Sequence, residues 1–278
     1  MPTITPVSHE PPPAYGTTSH SCVAPRPPVF SDLTLPHLAV IPGGPARIGC
    51  DNGFPDEAPA HLVDVPEFAI GIYPVTNRDY AAFLSDTGSP SPCYWEDARF
   101  NQDDQPVVGV TLSAAYAYCR WLTAGMQAMG ALLPGQIVRL PTEPEWEKAA
   151  SWDPARQRSR LYPWGDRWDG TRAVTAATGT GFPVPVTDYP GGASAYGVHG
   201  LLGNVWEWTA SMYASYLGAA KPFDEPNHYV IRGGSCALRP THLRCSYRCR
   251  LPPYAWRYHL GFRIVVGAPC KDRHAFCV

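Results

Sequence analysis

Between residues 37 and 150 the apolar positions recur with two different periods, and the change of period marks the elements. In LAVIPGGPARIG the apolar residues alternate with others and are broken by Gly43 and Gly44, which predicts a strand, a turn and a second strand beginning near His37. Three later stretches follow the helical period, each behind a threonine. Thr76 precedes NRDYAAFL, with Asp79 three residues on and Tyr80, Phe83 and Leu84 at helical spacing. Thr111 precedes LSAAYAYCRWL, with Ala115, Cys119 and Leu122 on one face. Thr142 precedes EPEWEKAA, where Glu145 completes a capping box and Trp146, Ala149 and Ala150 point inward. Past residue 151 the helical period stops. Turn-rich YPWGDRWDG, YPGGASAYG, RGGSC and LPPY alternate with short strand-like runs, VWEWTA, HYVIRGG and LGFRIVV. Helices early and a loop-rich β part late predict an α+β class. Trp206 and Trp208 alternate with Val205 and Glu207 and read as core anchors. Arg139, Arg232 and Arg263 stand beside apolar strand residues and read as buried arginines that tie loops together.

Composition bears mainly on the ends and on the partners. Residues 1–33 are rich in Pro, Ser and Thr and read as an arm outside the core; 34–268 form the expected domain and 269–278 a tail. A formal net charge of −2 gives no electrostatic case for nucleic acid or an acidic membrane surface. No apolar run approaches the roughly 20 residues of a transmembrane helix. MPTITPVSHEPPPAYG has neither a basic start nor an apolar stretch of the secretory kind, so a cytoplasmic location is expected. Nine cysteines, an odd count without C-x-x-C spacing, argue against zinc and against a disulfide framework.

Taken in order, IPGGPARIG, HLVDVPEFAIGIYPVTNRDYAAFL, PVVGVTLSAAYAYCRWL, VRLPTEPEWEKAA, YPWGD, GNVWEWTA, VIRGGS and LGFRIV resemble the formylglycine-generating enzyme (sulfatase-modifying factor) family across residues 37–267. The resemblance implies a formylglycine-generating-enzyme-like C-type-lectin fold, loop-rich with little regular secondary structure. It also implies one of three functional classes: copper-dependent oxidases that make formylglycine, iron-dependent sulfoxide synthases, or non-catalytic binding proteins.

The resemblance places the oxidase's two cysteines at the third and eighth positions after the serine of Gly-Gly-Ser. Counted from Ser235 these positions hold Leu238 and Leu243, whereas a cuprous ion favours paired thiolates. Cys245 and Cys249 would need a loop deletion to reach those places. The synthases carry a histidine triad on an additional N-terminal helical domain; no helical pattern precedes residue 37 and no two histidines are spaced i,i+4. No catalytic residue is therefore assigned. The tail instead resembles retroelement-diversified variable proteins, through the frame Arg232 to Ser235, Pro240, Leu243-Arg244, Tyr247-Arg248, Pro253 and Gly261 to Arg263. Most of the residues between these landmarks are reachable from an asparagine codon by changing only its adenines.

The expected function is thus a non-catalytic ligand-binding protein with a diversified segment at 236–259 and a macromolecular partner, a protein. The alternative is a formylglycine-generating-type copper oxidase or related oxygen-dependent enzyme. The expected ligand-binding set is Ala237, Leu238, Arg239, Thr241, His242, Cys249, Leu251, Tyr254, Ala255, Trp256, Arg257, Tyr258 and His259. Buried substitutions cost about 2–5 kcal/mol and surface ones within about 0.5. Leu238, Arg239, His242, Tyr254, Trp256, Tyr258 and His259 are therefore expected on one exposed face, with Arg232, Gly233, Gly234, Tyr247, Arg248, Gly261 and Phe262 buried or conformationally required. No cofactor is required on this reading. The resemblance also implies a structural calcium ion near GNVWEW, held by Asn204, Glu207 and main-chain carbonyls, the alternative being a satisfied Asn/Glu turn network without metal.

Overall fold

Each of the three threonines caps its helix in the computed structural model, which describes residues 30, 32–178, 181–220, 222 and 225–270. The rest of the arm and the tail beyond residue 270 lie outside the described residues. Ahead of α1 (Asn77–Thr87), Thr76 Oγ1 accepts from the Asp79 N–H at 3.2 Å while Asp79 accepts from the Thr76 N–H at 3.0 Å. α2 (Leu112–Ala128) begins with Thr111 accepting from Ala114 at 3.3 Å. α3 (Glu143–Ser151) carries the Thr142–Glu145 box, closed at 3.3 and 2.7 Å. These bonds satisfy N–H groups that a helix start leaves without intrahelical partners. The inward faces are buried as the spacing predicts: Tyr80 and Phe83, then Ala115, Cys119 and Leu122, then Trp146, Ala149 and Ala150.

The described strands are short: β1 (Leu38–Ile41), β2 (Gly44–Ile48), β3 (His61–Val65), β4 (Phe68–Gly71), β5 (Ile137–Arg139), β6 (Trp152–Asp153), β7 (Arg158–Ser159), β8 (Trp206–Met212), β9 (Tyr229–Arg232), β10 (Arg248–Leu251), β11 (Leu260–Phe262) and β12 (Val265–Gly267). One sheet runs β1-β4-β12-β5 and is antiparallel; the other runs β10-β9-β8-β11, with only β8 and β11 parallel. β2 with β3 and β6 with β7 form two-stranded ladders. Two residues, Arg263 and Ile264, separate β11 from β12, so one continuous segment joins both sheets. The architecture is α+β and loop-rich, as expected.

A first apolar cluster lies among α1, α2 and strands of both sheets, and a second surrounds Trp146 of α3. Trp206 and Trp208 belong to the first; Trp208 is fully buried and its indole N–H donates to the Val110 carbonyl at 3.1 Å. Phe30 and Leu33, at the end of the segment read as an arm, also pack on this cluster. Among the described residues no helix is long and apolar enough to cross a membrane.

Candidate functional site

Two buried carboxylates and two arginines form a chain of ion pairs under the second sheet, and a third pair, Glu57 with Arg244, adjoins it through Ser246. Glu143 and Glu147, one turn apart on α3, face β9 and β10. Arg232 at the end of β9 donates to Glu147 and to the carbonyls of Cys245 and Ser246 at 2.7 and 2.8 Å, and approaches Glu143 at 3.6 Å. Arg248, which begins β10, donates to the other Glu143 oxygen at 2.7 Å. Glu57, on the short 3₁₀ turn Pro55–Glu57, takes Arg244 and accepts from the Ser246 hydroxyl at 2.6 Å. Burial of such charges is tolerable because each is paired and hydrogen-bonded.

A cleft of about 520 Å³ opens over this chain, lined by Phe54, Asp56, Tyr213, Tyr216, His242, Tyr247, Arg248, Cys249 and Arg250 among others. β10 is an edge strand, which leaves its outer side open to the cleft. Arg248 and Arg250 share one face of that strand, as alternate residues must. Both guanidinium carbons stand 4.6 Å from the centre of the Tyr213 ring, and that of Arg248 lies 4.2 Å from Tyr216. Such stacking holds a cation without consuming its hydrogen-bond donors. The Tyr216 hydroxyl donates to Glu143 at 3.3 Å and the Tyr213 hydroxyl to Asp56 at 2.9 Å. Burial, then the Asp56 charge, pushes the Tyr213 hydroxyl up to about 12. Arg250 is fixed by Glu225 through two bonds of 2.7 and 2.8 Å. His242, also in the lining, stacks on Phe54 at 5.7 Å, and Tyr247 lies 5.6 Å from each of them. The Arg248 Nε atom is buried without a hydrogen-bond partner. The cleft thus combines aromatic walls, two fixed cations and one carboxylate, the arrangement of a small-molecule site.

The residues expected to bind ligand do not form one exposed face. Tyr254 and Trp256 are exposed, at 76% and 43%, and Ala237, Arg239, Thr241 and Arg257 are exposed with them. Ala255, however, is buried in the first cluster, and Leu238, Cys249 and Leu251 pack against it. His242 turns to Phe54 in the cleft, whereas Trp256 and Tyr258 gather round Tyr94. The His259 Nδ1 atom is buried. Of the residues expected inside, Arg232, Gly233, Gly234, Arg248, Gly261 and Phe262 are buried, while Tyr247 is half-buried because its ring lines the cleft. Segment 236–259 therefore mixes packing residues, fully buried Cys236 among them, with exposed ones, since β10 needs a core-facing side to join the sheet.

The two side chains expected to hold calcium are engaged by the protein itself. Both Glu207 oxygens accept from Arg263, at 2.6 and 2.7 Å, and one accepts from the Trp146 indole at 2.7 Å. Asn204 exchanges two bonds with the Val184 backbone, at 2.9 and 3.1 Å. A carboxylate neutralised by a guanidinium does not fit a divalent cation. Cys245 is sealed in the second cluster and Cys249 packs against the first, so these thiols do not fit a paired cuprous site either. Among the described residues no three His, Cys, Asp or Glu side chains stand close enough to hold a metal ion.

With this geometry in hand, comparison with known proteins places the chain. The model of the sulfatase-modifying factor enzyme 1-like domain matches residues 25–268. The chain belongs to that family. A hercynine oxygenase of Mycolicibacterium thermoresistibile is 38% identical over 250 residues, covering 75% of this chain and 53% of the relative. One from Mycolicibacterium smegmatis is 35% identical over 254 residues, covering 75% and 56%. The chain spans about half the length of these relatives. The structure of PvdO from Pseudomonas aeruginosa superposes with a TM-score of 0.69 at 28% identity, over 87% of this chain and 99% of that one. The expectation of a non-catalytic, diversified binder is corrected by these relatives, which are named as oxygenases at an identity well above that needed to share a fold.

Proposed function

We propose that this chain is the substrate-binding domain of an oxygen-dependent enzyme, and that the cleft at Phe54, Asp56, Tyr213, Tyr247, Arg248 and Arg250 receives the substrate. The observation that carries the reading is the pairing of fixed cations with aromatic walls in that cleft, in a chain 35–38% identical to hercynine oxygenases. Hercynine is a betaine with a carboxylate, a quaternary ammonium and an imidazole. Arg250 at the rim and Arg248 at the base suit the carboxylate. Asp56 with the Phe54 and Tyr247 rings suits the ammonium, because ring faces attract desolvated cations. His242, stacked on Phe54, offers a flat partner for the imidazole. Rigid supports hold these groups in place before the substrate arrives, which lowers the ordering cost of binding.

Neither a copper nor an iron site is met by the described residues, so the chemistry proposed for this chain is confined to binding, orienting and shielding the substrate. Cytoplasmic work is part of the proposal: Cys50, Cys93, Cys119, Cys236, Cys245 and Cys249 carry no disulfide, which suits a reducing compartment. Titration calorimetry with hercynine, and with histidine as the comparison, tests the reading. Saturable one-site binding of hercynine, weaker for histidine, is expected; no heat from either overturns it.

A further inference from the structure

A second cleft, of about 340 Å³, opens on the other end of the buried charge chain. Gly49, Cys50, Arg158, Arg160 and Ser246 help to line it, and Glu147 is part of its wall. Glu147 is bound there by the Gly49 N–H at 2.8 Å and, on its other oxygen, by Arg232. Arg232 faces Glu143, Glu143 holds Arg248, and Arg248 lines the first cleft. One continuous run of ion pairs therefore joins the two openings.

We propose that Glu147 is a proton-operated latch on the first cleft, a regulation that rests on the reading of that cleft as the substrate site. The groups facing it are Glu143 on its own helix, Arg232 from β9, Arg248 from β10, Tyr216 from the connection between β8 and β9, and Cys245 before β10. Burial pushes its carboxyl up to about 7, against the pull of Arg232 and of the Gly49 N–H. When Glu147 takes a proton, Arg232 keeps its charge and loses its closest partner. Its next carboxylate is Glu143, 3.6 Å away. Glu143 then divides its charge between two guanidiniums, and Arg248 has more of its own to offer a carboxylate in the cleft. Ligand carboxylates bind more tightly in consequence as the pH falls through neutrality.

Two measurements on the full chain test this. Carbon-detected NMR of the glutamate carboxyls, without ligand, should show one group titrating near neutral pH, lost in Glu147→Gln, with the Arg248 side-chain nitrogens shifting on the same curve. Calorimetry with hercynine should show affinity rising roughly fivefold from pH 8 to pH 6, and no such rise in Glu147→Gln. The NMR needs no ligand, so it stands even where hercynine fails to bind. Absence of a neutral-range titration, or a titration that leaves the Arg248 nitrogens unmoved, overturns the latch.

Discussion

Arg263 grips Glu207 through both carboxylate oxygens, at 2.6 and 2.7 Å, with both side chains fully shielded from solvent. The same guanidinium donates to the carbonyls of Gly71 and His199, at 2.9 and 2.8 Å. It stands between β11 and β12, so one side chain ties β8 of one sheet, β4 of the other and the loop at His199. Removing one member of a buried pair leaves the other charged and unpaired, at about 3–5 kcal/mol. Glu207→Gln is expected to lose that much in urea denaturation, and added calcium or chelator to leave the melting temperature of the wild type unchanged.

Gly203 adopts φ 75°, and a Cβ there would lie 2.0 Å from the Val174 carbonyl oxygen. Neither the backbone conformation nor the space admits a side chain. Gly203→Ala should destabilise the fold by about 2–3 kcal/mol, measured by the same denaturation, whereas Gly130→Ala, with open space around it, should cost less.

Much of this fold was legible in the chain because its signals are local. The capping threonines, the helical spacing behind them and the alternating Trp206 and Trp208 each declare themselves within a few residues. Arg139, Arg232 and Arg263 were legible as loop ties because an arginine among apolar strand residues has few other places to go. The cleft was not legible. Its parts, Phe54, Tyr213, His242 and Arg250, come from four separate segments and meet only after β10 pairs with β9. One signal was available: Arg248 and Arg250 alternate, so a strand would place both on one face. The tail frame carries a signal of residue variability, which points to an exposed surface and not to the concave one beside it.

Thiol reactivity follows the packing. Burial pushes Cys236 up to about 12 and Cys245 well above the ordinary thiol range; partial burial raises Cys93 as well, but its side chain is exposed and a reagent can reach it. Because the thiolate is the reactive form, a disulfide reagent in native buffer should label Cys93 within minutes. Cys119, Cys236 and Cys245 should stay unlabelled until denaturant is added, as peptide mass mapping would show.

The stability profile should carry the mark of Glu147. Its folded-state value of about 7 lies above the ordinary 4.5, so the folded state holds the proton more tightly than the unfolded one. The stability this gives is complete below about 4.5 and is lost as the pH rises through about 7. Glu147→Gln removes that dependence. Relative to the wild type, the variant should therefore gain stability between pH 5 and pH 8 in matched melts. A constant difference across that range would show that Arg232 keeps Glu147 ionised throughout.

Where the ligand binds is the question on which the whole account turns. Hercynine affinity measured by calorimetry for Tyr247→Ala, Arg250→Met and Trp256→Ala answers it, because the first two residues line the cleft and the third is exposed beside Tyr94. If the cleft is the site, affinity should fall about tenfold or more in Tyr247→Ala and Arg250→Met, the order of one good contact, and less than about twofold in Trp256→Ala. Unchanged affinity in both cleft variants, or a loss confined to Trp256→Ala, would contradict that placement.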